Sequence, residues 1–146
     1  MRLEHKLFTA EEANELLPQI RRELAALQEL AGKIESRHRD LLKFKSIHKH
    51  AFPDLPHDND PFFEMESSLD FLRIEMDMMI RNFSRKGVLL KMIDPGLIDF
   101  PTMIEGEPAL LCWKEGEERV GHYHGWHDGF VGRRALPEDR DPGARG

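Results

Sequence analysis

The residues best equipped for chemistry lie near the carboxyl end. The run Gly121-His122-Tyr123-His124-Gly125-Trp126-His127-Asp128 places three of the chain's eight histidines within six residues. On a strand, side chains alternate, so His122 and His124 point to one face. Two imidazoles on one face can chelate, and His127 from the following loop completes a triad. Such a triad suits a divalent transition metal such as zinc, with an open fourth position. Cys112 or Asp99 on a neighbouring strand adds a ligand or orients one. The spacing His-x-His-x-x-His is shared with metallo-β-lactamases, but Trp126 stands where that motif needs an acid, and the chain is too short for that fold. The plainer alternative is one buried, hydrogen-bonded histidine with the others on the surface.

The next residues suit a different ligand. Gly129 and Gly132 permit close backbone approach, and their N–H groups beside Arg133 could form an anion-binding nest. Arg133 and Arg134 carry forks matched to carboxylate or phosphate. The competing reading is a tight turn in which Arg133 pairs with Asp99 or Asp94. Asp99, set between Ile98 and Phe100, needs a partner if buried, and His124 and Arg133 are the candidates. An Asp99–His124 contact would be an oriented acid/base pair, the catalytic candidates of the chain. Cys112 beside Trp113 reads as small buried core rather than as a nucleophile.

Two kinds of element must position these groups. Thr9-Ala10-Glu11-Glu12 is a capping box that starts a helix. Pro18 then predicts a kink, or a short helix ending near Leu17. Beyond it, Leu17, Ile20, Leu24, Leu27, Ala31, Ile34, His38, Leu41, Lys45 and His48 follow a 3-4 spacing, which reads as one helix of about nine turns. Residues 51–61 hold three prolines and four Asp/Asn residues and read as a loop. Phe62, Met65, Leu69, Leu72, Met76, Met79 and Phe83 form the seam of a second helix, widened by Phe63 and Phe71. Gly87 closes it as a left-handed C′ residue behind Arg85 and Lys86. The methionines read as core. The two seams predict an antiparallel helical hairpin over 9–87, with surplus apolar surface left for the C-terminal region or a second copy of the chain.

From Val88 the pattern changes. Val88–Ile93, Leu97–Ile104, Ala109–Lys114 and Glu118–His124 read as strands separated by the turns Asp94-Pro95-Gly96, Glu105-Gly106-Glu107 and Glu115-Gly116-Glu117. The expectation is α+β: a long helical hairpin followed by a small antiparallel meander of three or four strands over 88–136. A flexible tail, 137–146, completes the chain.

Composition sets the bounds. The 146 residues, 40% hydrophobic and 33% charged, make one domain over 1–136 rather than two. Nothing approaches a membrane span. The single cysteine and the absence of an apolar leader at the first residues predict a cytoplasmic protein. Net charge is −6, with +2 over residues 1–50 and −8 over the remainder. An acidic total argues against nucleic acid as a partner. The local exception is 33–49, where Lys33, Arg37, Arg39, Lys43, Lys45 and Lys49 give an RNA or ribosome contact as one alternative and a solvated helix face as the other.

Three segments resemble a family. They are Lys6-Leu7-Phe8-Thr9-Ala10-Glu11-Glu12-Ala13-Asn14-Glu15-Leu16-Leu17-Pro18, Gly96-Leu97-Ile98-Asp99-Phe100-Pro101, and Leu111-Cys112-Trp113 on to His124 and Gly129-Phe130-Val131-Gly132-Arg133. Together they are similar to the bacterial and archaeal domain of unknown function 2203 family over roughly residues 6–136. The resemblance implies a layout, helices plus a small sheet in a cytosolic protein, rather than a reaction. That family's pattern has Trp-His where this chain has Tyr123-His124, and often an acid at His127, which leaves His124 as the matched position. The leading expectation is a self-associating or partner-docking scaffold, forming a homodimer or meeting a helical protein, with a small metal- or anion-binding loop. The alternative is a small metal-dependent, hydrolase-like enzyme using His122, His124 and His127 with Asp99 or Asp128.

Overall fold

Thr9 opens the first helix in the way its sequence requires. The Glu12 N–H donates to Thr9 Oγ1 at 3.0 Å, and the Thr9 N–H donates to the Glu12 carboxylate at 2.9 Å. The computed structural model describes residues 6–48 and 60–137. It contains α1 (Ala10–His48), α2 (Pro61–Arg85), β1 (Leu89–Met92), β2 (Leu97–Ile104), β3 (Glu107–Lys114), β4 (His122–Gly125), a 3₁₀ turn (Phe130–Gly132) and β5 (Arg134–Ala135). The fold is α+β, a helical hairpin followed by an antiparallel meander. No helix among the described residues is long and apolar enough to cross a membrane. Lys49 and most of the expected 51–61 loop lie outside the described residues, as does the expected tail from Glu138.

Contrary to the expectation of a break near Leu17, α1 runs through Pro18. Pro18 faces solvent, while Ala13, Leu17, Ile20 and Leu24 on the inner side are almost fully buried. A mid-helix proline costs ~3 kcal/mol. Burying each large aliphatic side chain returns roughly 1.5–3 kcal/mol, so the continuous seam outweighs it.

The chain divides into two compact units. One comprises Ala26–Met79, the far halves of both helices. There the helices run counter to each other: Phe44 meets Phe62 edge-on at 5.4 Å, Lys45 pairs with Glu66 at 2.6 Å, and His38 Nδ1 lies 3.5 Å from the Arg73 guanidinium. Leu41 and Leu69 are buried, whereas Phe71, Ile74 and Met78 face outward.

The other unit takes the start of α1, the end of α2 from Ile80, and the sheet. Helix α2 closes as its sequence predicts. Gly87 sits at φ +88°, the Gly87 N–H donates to the Ser84 carbonyl and the Val88 N–H to the Phe83 carbonyl, the pair of bonds that defines a Schellman cap. The five strands are ordered β1-β2-β3-β4-β5, all antiparallel. Glu105 and Gly106, both at positive φ, join β2 to β3, as a two-residue hairpin of type I′ demands. One face of the sheet meets α1. Ile98, Phe100, Leu111 and Trp113 are buried there; Phe8 stacks edge-on to Phe100 at 5.4 Å and Arg21 lies over Trp113 at 5.7 Å. Asp99, Cys112 and His124 alternate to the opposite face, over which Phe130 and Arg133 fold back.

Two strand expectations are corrected. The last long strand does not begin at Glu118, because the carbonyls of Glu117 and Glu118 and both backbone groups of Val120 are bonded to side chains instead of to a ladder. The Val120 N–H donates to Asn14 Oδ1 and its carbonyl accepts from Asn14 Nδ2, while Arg21 and the Trp113 indole donate to carbonyls of Glu117 and Glu118. A fifth strand, Arg134–Ala135, pairs with β4; two residues carry no detectable alternation. Gly96 gives the sharpest packing test. A Cβ there would sit 2.2 Å from Leu24 Cδ2, and Leu24 is itself buried. Gly96→Ala should therefore lower stability by about 1–3 kcal/mol, read as a drop in the urea midpoint at unchanged m-value.

Candidate functional site

The site is built by register. Asp99 on β2 lies opposite Cys112 on β3, and Cys112 lies opposite His122 on β4. His124, two residues along β4, shares their face. Asp99, Cys112 and His124 are 1%, 0% and 2% exposed, so a carboxyl, a thiol and an imidazole converge out of reach of water. His124 Nε2 is 3.2 Å from Asp99 Oδ2, and Nδ1 is 2.9 Å from the Gly125 carbonyl. A carbonyl only accepts, so Nδ1 carries a hydrogen and Nε2 is aimed at the carboxyl group. One proton then lies between Nε2 and Oδ2, and the pair is neutral whichever atom holds it. Burial pushes the Asp99 carboxyl above its usual range against the opposing pull of His124. Burial, reinforced by Asp99, pushes the Cys112 thiol up to about 12. The thiol is thus no nucleophile near neutral pH.

A charged rim borders this core. Arg133 grips Glu117 with both terminal nitrogens, Nη1 at 3.1 Å from Oε1 and Nη2 on Oε2. The same Nη1 approaches Cys112 Sγ at 3.9 Å, and the guanidinium stacks on Phe130 at 4.4 Å. His122 Nδ1 is 3.7 Å from Glu117 Oε2. Burial alone would raise the Glu117 carboxyl, but the Arg133 fork and the Lys114 N–H outweigh it and hold it below the usual range.

The structure brings together only part of the expected set. Asp99 and His124 meet. The three histidines do not: His122 turns to Glu117, and His127 is exposed in the following turn. Among the described residues, the group with metal-ligating atoms in reach of one another is Asp99, Cys112 and His124, all within 4.8 Å. Of the groups expected to hold an anion, Gly129, Gly132 and Arg133, two are engaged within the chain. The Gly132 N–H donates to the Gly129 carbonyl, the Arg133 N–H donates to the Phe130 carbonyl, and the guanidinium is taken by Glu117. Arg133 therefore pairs neither with Asp99 nor with Asp94. Glu117 is the rim residue that sequence reasoning missed. Its signal lay in the turn Glu115-Gly116-Glu117, where a carboxylate can cap the Lys114 N–H and swing beneath the following strand.

The fold and this cluster define a small α+β protein with a polar, water-excluded centre on the outer face of its sheet. The chain belongs to the family described as uncharacterized conserved protein (DUF2203), which matches residues 6–136. No curated protein and no solved structure matches the chain.

Two outcomes follow from the geometry. A thiol reagent should leave Cys112 unmodified in native protein at mildly alkaline pH and titrate one equivalent once urea unfolds it. Glu117→Gln should lower stability by about 1–2 kcal/mol at neutral pH. Because the Glu117 carboxyl is held low, its contribution is complete above the ordinary carboxylate range and is lost as pH falls through its own lowered value. The gap between wild type and variant in urea midpoint should close on acidification.

Proposed function

We propose that the protein is a non-enzymatic docking scaffold whose α2 helix receives a basic amphipathic helix of a protein partner. The observation that carries this reading is the outward stripe of Phe71, Ile74 and Met78, which are 74%, 57% and 58% exposed. At spacings of three and four they lie on one side of α2. The buried and half-buried seam of Met65, Leu69, Leu72 and Met76 lies roughly 150° away, at ~100° per residue. Helix α2 thus carries two apolar faces, and an ordinary surface helix needs one. Each outward side chain releases roughly 1.5–3 kcal/mol when fully covered, and Met beside Phe makes an adaptable contact surface.

The edges of the stripe choose the partner. Asp70 and Asp77 flank it on one side and Glu75 on the other, all exposed. Arg73, beside Asp70 at 3.7 Å, and Arg81, one turn beyond Asp77, are the bases near this border, which stays net acidic. A lysine- or arginine-edged apolar helix complements this net acidic border, whereas a second copy of α2 would bring the same net charge against itself. The chemistry of the sheet agrees with a non-enzymatic role. An Asp99–His124 pair at 1–2% exposure meets no substrate, and the Cys112 thiol is held protonated.

Calorimetric titration with a synthetic amphipathic helix of leucine and lysine tests the proposal. Saturable binding should weaken at high salt and fall at least about tenfold in Phe71→Ser/Ile74→Ser, the loss of ~1.4 kcal/mol or more. Leu42→Ser on α1 should bind as the wild type does. Equal affinity of the double variant would reject the docking face. Light scattering that finds a concentration-dependent dimer, dissolved by the same double variant, would replace the helical partner with a second copy of the chain.

A further inference from the structure

We propose that Asp99, Cys112 and His124 form a buried binding site for one divalent transition metal ion of the zinc class. Four observations carry this. First, three different ligand types come from three adjacent strands, with their ligating atoms within 4.8 Å of one another. In a tetrahedral zinc site, bond lengths of ~2.0–2.3 Å put ligand atoms ~3.3–3.8 Å apart, so an inward shift of about 1 Å by side chains closes the set. Asp99 and His124 are already at 3.2 Å.

Second, Asp99 Oδ1 is buried without a hydrogen-bond partner. A buried carboxylate oxygen left so is costly; an ion held by both Asp99 oxygens satisfies it, and Oδ1 then supplies the fourth donor without water. Third, the imidazole is oriented as a ligand. Its Nδ1–H is tied to the Gly125 carbonyl at 2.9 Å, which turns Nε2 inward; metal-bound histidines are fixed by an outer partner of this kind. Fourth, the charges cancel. A carboxylate, a thiolate and a neutral imidazole around a divalent cation sum to zero, the one total that a site this deep tolerates well. The ion takes the place of two protons, the one between Nε2 and Oδ2 and the one on the thiol, both released to solvent. Arg133 does not oppose the ion, because Glu117 already balances its charge. Its Nη1, 3.9 Å from Sγ, is placed to donate to the thiolate.

This site differs from a histidine triad. His122 and His127 take no part, and Cys112 is a ligand rather than inert core. It is also independent of what docks on α2.

The test uses the full chain without an affinity tag, titrated with Co²⁺ under reducing conditions. One equivalent should bind, with a near-ultraviolet thiolate-to-cobalt band and the strong visible bands of a four-coordinate ion. Cys112→Ser should abolish the near-ultraviolet band, while His122→Ala/His127→Ala should keep the full spectrum and stoichiometry. Zn²⁺ should displace the cobalt, and elemental analysis after dialysis should return one zinc per chain. Wild-type protein that retains no stoichiometric metal would overturn the proposal, and this reading needs no variant to fold. Binding without the thiolate band, or binding lost in the His122/His127 double variant, would also overturn it by placing the ion on surface histidines.

Discussion

The sheet holds a carboxylate where a carboxylate is expensive to keep, and much of the local structure answers that demand. Asp99 stands in mid-strand between Ile98 and Phe100, at 1% exposure. An isolated charge there would cost several kcal/mol. The imidazole of His124 meets it from two strands away, and the Gly125 carbonyl fixes that imidazole from behind. Cys112 stands on the strand between the two with a small side chain that still offers a ligating atom. A bulkier residue at Cys112 would crowd the space in which Asp99 and His124 meet.

Around this centre the arrangement is layered by polarity. Inside are neutral or neutralised groups; outside them lies the Arg133–Glu117 pair; beyond that, His122 and Phe130 reach solvent in part. The layering explains why Arg133 is not drawn to Asp99 despite being its obvious cation. Glu117 offers two oxygens in the geometry of the guanidinium fork and is the less desolvated of the two acids, so the charged pair forms at the rim. The interior keeps the partner that can share a single proton.

How much of this was legible in the residues depended on whether the determining contact was local. The capping box at Thr9, the left-handed Gly87 and a turn at Glu105-Gly106-Glu107 are set within four or five residues, and each could be read directly. The alternation that puts His122 and His124 on one face was equally plain, whereas the register that sets Asp99 opposite Cys112 is a long-range choice. The Asp99–His124 encounter could be named as an option, because an acid in an apolar strand requires a partner. What could not be read was long-range choice. Nothing near Val120 says that Asn14 will take both of its backbone groups, so a strand was expected where the backbone is bonded to side chains. Nothing near Arg133 distinguishes Glu117 from Asp94. The outward turn of Phe71 was hidden for a different reason: an apolar residue beside a seam looks like its widening until the helix is seen from its far side.

The Asn14–Val120 clamp bears on how the chain is made. Its two ends are separated by 106 positions, so a nascent chain completes its first helix long before the residue that fastens it has left the ribosome. During that interval the amide of Asn14 is free to exchange with water, and the apolar side of α1's first turns has no sheet to lie on. The fastening step therefore waits for a residue made 106 positions later, and a product that terminates before Val120 would lack the bolt that secures the start of α1.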